Sequence, residues 1–390
     1  MLKKLLHRLP TRRLAKKLDE TALADALAAP LYALDPFSAR FDDVEAAQHY
    51  EALRLRRADE VVEELTVMTW NIKFGGGRID FWYDGHGDRV IMKDWEVLAN
   101  LEGLAAKISQ VDPDLLLLQE VDVDSKRVAF IDQMQWLLDH TELNFGAYAS
   151  QWRADVIPNQ GLGRVDMGIG ILSRFPIRDA QRLALPKMTT QDRITRYFYL
   201  KRALLTARVD VPDFGPVHVV NVHTEAFSRD GTKRRHLERF CAELDRIDGA
   251  GGFVVGGGDL NTIPPGTKQM HDFEDVVTED EDFQGSDYRG QSDWLLPLYE
   301  RYQPAVALDD YRRDNRRYAT HSTTGEVFWN RKLDYLFTNG EFAEGTTLTH
   351  QDDSSGAMET MLLSDHAPVT TVLRRKKRPP ELTKTAPRKS

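Results

Sequence analysis

Phe253-Val254-Val255-Gly256-Gly257-Gly258-Asp259-Leu260-Asn261 carries the clearest architectural signal in the chain. A short apolar run leaves Gly251-Gly252, passes three glycines and delivers an acid and an amide two residues apart. β-Branched residues bounded by glycine, in a run too short for a helix, predict a buried strand. Residues i and i+2 of an extended chain face the same way, so Asp259 and Asn261 can point into one cleft. They stand at the strand's carboxyl end, where α/β sheets place their ligand sites. The glycines would let backbone or substrate approach closely. Taken alone, Asp-x-Asn is more often an Asx-turn that closes a strand. Similar strand ends elsewhere in the chain change that balance.

Leu65-Thr66-Val67-Met68-Thr69-Trp70-Asn71-Ile72 is a strand ending near Asn71, and Leu115-Leu116-Leu117-Leu118-Gln119-Glu120 is a buried strand ending in a carboxylate. Val219-Val220-Asn221-Val222-His223 ends in a histidine. Lys332-Leu333-Asp334-Tyr335-Leu336-Phe337 carries its acid near the start, and Ser364-Asp365-His366 turns into the last strand. Each polar residue alone has a structural reading: Glu120 as a helix cap, His223 as a core histidine, Asp334 as a partner of Arg331. Repetition on five strands favours one shared site. Between these strands the spacing predicts helices from about Asp94 to Ser109, with Leu98, Leu101, Ala105 and Ile108 on one face, and near 129–140 and 232–247. Further strands are expected near 144–150, 168–173, 199–210 and 216–223. Residues 262–330, rich in Asp, Gly and aromatics, read as substrate-side loops with short helices.

The net charge of −9 is unevenly spread. Residues 1–17 hold seven Lys/Arg and no acid, and residues 374–390 hold eight Lys/Arg and one Glu, so the body carries about −23. An acidic body with basic arms is not the footprint of a duplex-DNA reader and suits a metal-binding cleft. The single cysteine, Cys241, excludes an internal disulfide and a Cys-based zinc site and points to a reducing, cytoplasmic setting. No apolar run approaches the roughly 20 residues that span a bilayer. Leu2, Leu5, Leu6 and Leu9 recur with helical spacing among basic residues, a pattern that can dock on its own domain or lie on an anionic membrane surface. His7 and Arg8 break the apolar part, which makes it a poor signal peptide. The expected organisation is a helical N-terminal extension over 1–60, including a second charged helix over 43–60, then a catalytic domain over 61–374 and a basic disordered tail over 375–390.

In order along the chain, Trp70-Asn71-Ile72, Gln119-Glu120-Val121, Ser173-Arg174-Phe175-Pro176-Ile177, Asn221-Val222-His223, Gly258-Asp259-Leu260-Asn261, Leu333-Asp334-Tyr335 and Ser364-Asp365-His366 resemble the motifs of the endonuclease/exonuclease/phosphatase superfamily of metal-dependent phosphohydrolases. The resemblance covers about 65 to 373; each motif is short, and seven in order are specific to the superfamily but not to a substrate. It implies an α/β (α+β) fold, a four-layer αββα sandwich of two mixed β-sheets face to face with helices outside, DNase I-like. Alternating apolar strands and amphipathic helices agree with that expectation.

By the same resemblance Glu120 would ligate Mg²⁺, with Mn²⁺ as the alternative, helped by Asn71 and Asp365, since a hard divalent cation wants oxygen ligands. Asp259 would orient and deprotonate water and Asn261 would hold the scissile phosphate. His223 and His366 would donate to phosphate oxygens, with Asp334 orienting His366. Arg202 and His321 are further candidate substrate contacts, against a reading as surface salt bridges. Lys233-Arg234-Arg235 reads as a solvated basic run. Abasic-site endonucleases resemble Gln-Glu-Thr and carry Tyr where this chain has His223, which favours the branch of deoxyribonucleases, sphingomyelinases, deadenylases and inositol-phosphate or GPI-lipid enzymes. The expected partner is a phosphate-ester substrate, nucleic acid ahead of phospholipid or inositol phosphate, with peripheral membrane contact through the basic N-terminus and no obligate protein partner. A non-catalytic binding protein on the same fold is the rival of another class, although such copies usually lose the acids retained here. A zinc hydrolase lacks its ligands.

Overall fold

A computed structural model describes residues 37–57, 61–82, 87–157, 161–275, 285–351 and 359–375. The expected helix at the N-terminus and the expected tail beyond Arg375 lie outside the described residues. In chain order the strands are β1 Val44–Ala46, β2 Gln48–Glu51, β3 Glu64–Asn71, β4 Leu115–Asp122, β5 Phe145–Ile157, β6 Gly163–Ser173, β7 Ile177–Ala184, β8 Ala203–Val211, β9 Gly215–His223, β10 Val254–Asp259, β11 Gln303–Pro304, β12 Asp334–Thr338, β13 Glu341–Phe342, β14 Leu348–Thr349 and β15 Val369–Arg374. The helices are α1 Asp94–Val111, α2 Gln133–His140, α3 Arg193–Phe198, α4 Thr232–Gly249, α5 Leu296–Arg301, α6 Leu308–Arg313 and α7 Thr360–Leu363.

The strands form two sheets. One runs β13-β15-β3-β4-β6-β5-β2, with β14 also on β15, and the other runs β1-β7-β8-β9-β10-β12-β11. Each contains one parallel pair, β3 with β4 and β9 with β10, amid antiparallel neighbours. Those pairs need crossover connections, which α1 and α4 supply. Strand alternation then divides the core into layers. Val67, Leu115, Leu117, Val219 and Val255 pack between the sheets. Met68, Trp70, Leu116 and Leu118 turn outward beneath α1 and α2, against Leu101, Leu104, Met134 and Leu137. Val220, Val222 and Val254 turn outward beneath α4, against Leu237, Phe240 and Leu244. Helix, sheet, sheet and helix are therefore the four layers expected from the sequence.

The charged helix expected over 43–60 does not form over the described residues 43–57. Val44–Ala46 pairs with β7 and Gln48–Glu51 pairs with β5, one on an edge of each sheet, while Ala47 between them is buried in the inter-sheet core. Sheet edges carry charged residues that discourage pairing with other chains, so an edge strand can have the composition of a polar helix. The folded unit thus begins before residue 61. Another strand that the composition conceals is β7, Ile-Arg-Asp-Ala-Gln-Arg-Leu-Ala, also dominated by polar groups. The strand expected at 199–210 starts at Ala203, after α3.

Candidate active site

The site forms where the parallel pairs of both sheets end. In the register of the second sheet, Asp259 on β10 lies beside His223 on β9 and Asp334 on β12, so one cross-strand row carries three of the candidate residues. The glycines before Asp259 make that row fit. A Cβ on Gly257 would collide with the Tyr335 carbonyl, and on Gly258, at φ +134°, with the Val222 carbonyl. The close approach that they permit is therefore between neighbouring strands.

In the first sheet the decisive feature is a β-bulge between Gln119 and Val121. Glu120 occupies it in a left-handed conformation, φ +53°, and is thereby turned out of the strand's alternation. Asn71, paired in register with Gln119, donates through Nδ2 to Glu120 Oε1 at 3.1 Å and to Asp259 Oδ2 at 3.2 Å. One buried amide thus bridges carboxylates from the two sheets. Its Oδ1 accepts the Lys73 backbone N–H at 3.0 Å. Asn221, the first residue of the Asn-x-His motif, stitches the sheets deeper down. It donates to the Leu118 and Gly170 carbonyls and accepts from Gln119 Nε2.

Asp259 is 1% exposed and is the hub. Its Oδ1 accepts the Asn261 N–H at 2.9 Å, and its Oδ2 lies 3.3 Å from His223 Nε2 and 3.7 Å from His366 Nε2. Burial pushes its carboxyl up to about 7, a rise opposed by His366 and helped by Asp334. His366 Nδ1 donates to Asp334 Oδ2 at 2.8 Å. Burial by itself would lower this imidazole, but Asp334 and Asp259 outweigh it and hold its pKa at about 10. His223 goes the other way, held well below its usual value by burial, Arg202 and His366. One histidine is therefore a cation and the other a neutral ring.

Asp334 pairs with His366 and not with Arg331, which is joined to Asp275 at 2.7 Å. Asn261, at φ +45°, donates to the Thr224 carbonyl and to Asp259, and its own carbonyl accepts from Lys233 Nζ at 2.7 Å. Arg202 is no surface residue. It is 7% exposed, 3.8 Å from Glu225, with no hydrogen-bond partner for Nε or Nη1 among the described residues. His321 lies on the His366 side, ring centroids 4.5 Å apart. Asp365 stands 4.0 Å from Lys73 Nζ. Burial would raise its carboxyl, but Lys73, His366 and other neighbouring cations hold it below the usual range. Every candidate residue is thus brought to one end of the sandwich.

The donor set suits a hard cation. Glu120 and Asp365 keep 24% and 20% of their side chains exposed in an otherwise buried cluster. Ser364 Oγ, which donates to the Asn71 carbonyl at 2.7 Å and lies 3.3 Å from Asp365 Oδ1, links the two sides. Ligand atoms of His321, Asp365 and His366, and of Asp259, Asp334 and His366, also lie within 4.8 Å of one another. In both groups, however, His366 is committed to Asp334 as a donor, which leaves the carboxylates as the natural ligands. Asn71 directs its nitrogen at the carboxylates and so brackets them.

Several participants escaped the sequence reading. Lys73 is buried directly after the Trp-Asn-Ile motif, and Lys332 Nζ donates to the Asp334 carbonyl at 2.7 Å. Lys233, expected in solvent, is 1% exposed. Its signal was present, because Lys233, His236, Leu237 and Phe240 recur at i, i+3, i+4 and i+7 on the buried face of α4.

Comparison with known proteins bears on the family and the fold. The model of the Endonuclease/Exonuclease/phosphatase family matches residues 68–366. Among solved structures the chain is similar to an endonuclease/exonuclease/phosphatase from Beutenbergia cavernae DSM 12333, at 20% identity and TM-score 0.53 over 80% of this chain and 72% of that one. It is similar also to an endonuclease/exonuclease/phosphatase family protein from Bacteroides thetaiotaomicron, at 16% identity and TM-score 0.51 over 81% of this chain and 99% of that one. At these identities the likeness is one of fold. No curated protein matches the sequence.

Proposed function

From the premise that the chain belongs to the endonuclease/exonuclease/phosphatase family, whose members are phosphoesterases, we propose that it is a Mg²⁺-dependent phosphodiesterase. The observation that carries this reading is the Asn71 amide bridging Glu120 and Asp259 while His223 and His366 flank the same Asp259 oxygen. Asp259, with its carboxyl near 7, is suited to accept a proton from water at neutral pH. Asn261, placed two residues on by its turn, steadies that carboxylate and faces the same phosphate. His366, cationic and aimed by Asp334, donates to a phosphate oxygen as negative charge develops there. His223 offers a neutral imidazole on the opposite side, and Arg202 adds a guanidinium with unused donors. His321 packs the His366 ring in place. Glu120 and Asp365 would hold a divalent cation, which when bound would supply further positive charge to the phosphate, and Asn71 orients Glu120.

Nucleic acid is the leading substrate class. The basic, amphipathic pattern of Met1–Pro10 favours a second reading, a phospholipid or inositol-phosphate diester at an anionic surface. The two separate in one experiment, in which purified protein is offered single-stranded oligonucleotides and anionic phospholipid vesicles with Mg²⁺. Oligonucleotide cleavage without vesicle binding supports the first reading. Vesicle binding at low salt that requires residues 1–17, with lipid hydrolysis, supports the second. Failure on both and on a simple diester sinks the proposal.

A further inference from the structure

Beyond the residues that face the substrate, two turns hold Asn71 and Glu120 in place, and both are in unusual backbone conformations. After Asn71, Lys73 and Phe74 take φ +46° and +42°; at the bulge, Glu120 takes φ +53°. A left-handed conformation at a residue with a side chain is strained and persists only where its surroundings impose it. Here the surroundings are two parallel bridges between the same two residues. Gln133, wholly buried at the start of α2, donates from Nε2 to the Phe74 carbonyl at 2.7 Å and accepts the Asp122 N–H on Oε1 at 3.1 Å. Arg127, 1% exposed, forms a forked pair with Asp122 at 2.7 and 3.0 Å and lays its guanidinium 3.8 Å from the centre of the Phe74 ring. Phe74 lies three residues past Asn71 and Asp122 two past Glu120.

We propose that Gln133 and Arg127 are positioning residues, a double brace that fixes the distance between Asn71 and Glu120 and so tunes affinity for the divalent cation. This rests on the reading above, in which Glu120, oriented by the Asn71 amide, holds that cation together with Asp365. Partners that orient the ligands of a metal change its affinity by about 10–100-fold when removed. Both brace residues are buried against Phe74 and Asp122, so their loss acts on how Asn71 and the bulge aim Glu120 and leaves the carboxylate ligands present.

The test is calorimetric titration of metal-stripped, full-length protein with Mn²⁺, together with the thermal midpoint of the metal-free form. Gln133→Met removes the amide bridge. Phe74→Leu removes the ring under Arg127 while keeping the carbonyl that Gln133 binds, and it decides the matter alone if Gln133→Met does not fold. Glu120→Gln is the reference for loss of a ligand. The brace predicts that Glu120→Gln abolishes or severely weakens binding and that each folded brace variant weakens it about 10–100-fold. Brace variants that lower the thermal midpoint yet bind Mn²⁺ like wild type, while Glu120→Gln does not, overturn the brace alone. Wild-type protein that takes up no cation, or Glu120→Gln that binds as tightly as wild type, overturns the metal reading and the brace with it.

Discussion

His223 and His366 stand on either side of Asp259 Oδ2, at 3.3 and 3.7 Å, and differ in charge because their partners differ. Asp334 gives His366 a hydrogen-bonded anion at 2.8 Å, whereas at His223 burial and the cations Arg202 and His366 outweigh the nearby Asp259 and Glu120 carboxylates. A raised histidine pKa means the cation is present below it and is lost as pH rises through it. Activity that needs the His366 cation should therefore persist to a basic limb near 10 in wild type. Asp334→Asn removes the largest raising influence, so the limb should move down toward neutrality and kcat should fall by about 10²–10⁴-fold. A pH–rate profile of both proteins reads both effects, and an unmoved limb would separate Asp334 from the titration. The identities of these residues were legible in the sequence, because each sits at a strand end. The cationic state of His366 followed from the Asp334 pairing that the family resemblance implies, with Arg331 as the rival partner until the structure joined Arg331 to Asp275. The neutral state of His223 was not legible, because it depends on which groups surround the ring after folding.

At the scale of elements, β10 depends on having no side chain at its centre. Gly257→Ala would drive a Cβ into the Tyr335 carbonyl of β12, so we expect a loss of about 1–3 kcal/mol or more. Urea unfolding should show a lower midpoint with an unchanged slope, and an unchanged midpoint would mean that β12 yields freely. This strand was readable from its apolar run and bounding glycines. The β4 bulge was not, because one extra residue in a ladder leaves no compositional trace, and Glu120 could be named as a site residue without the backbone that aims it. β1 and β2 were misread for a related reason. Edge strands expose one flank and carry charges, which erases the alternation that identifies strands. On α4 the opposite happened: the helical period was plain, and the charge of Lys233 hid that it lies on the buried face.

At the scale of the molecule, two sheets meet through a mostly apolar layer in which Asn221 is a buried polar tie. Asn221→Leu leaves the Leu118 and Gly170 carbonyls without that donor, and we expect a cost of about 1–3 kcal/mol per unpaired group in chemical denaturation. Buried neutral histidines set the response to acid. His223, His236 and His321 all have lowered pKa values, His236 at about 4, so their contribution is complete above the unfolded value near 6.5 and is lost as pH falls below it. For His236 alone this amounts to on the order of 3 kcal/mol by pH 4. His366 works in reverse, since its stabilising share is full below 6.5 and disappears as pH rises through about 10. Asp259, with its carboxyl raised to about 7, opposes the neutral histidines by gaining stability as pH falls, so the histidine share is read by comparison. From pH 7 to pH 5 the thermal midpoint of wild type should fall further than that of His236→Gln, and equal falls would contradict the neutral assignment. The four-layer architecture was legible because strand and helix periods alternate along the chain. Strand order within each sheet was beyond reach, since it is fixed by pairings between segments far apart in sequence. We assign Asp259, set among these groups, as the base of a metal-dependent diesterase. Hydrolysis of bis(p-nitrophenyl) phosphate with Mg²⁺, Mn²⁺ or EDTA by wild type and Asp259→Asn tests that role. Wild type should turn over the diester with metal and not with EDTA, and Asp259→Asn should be slower by about 10²–10⁴-fold; equal turnover by the two proteins would rule Asp259 out as the base.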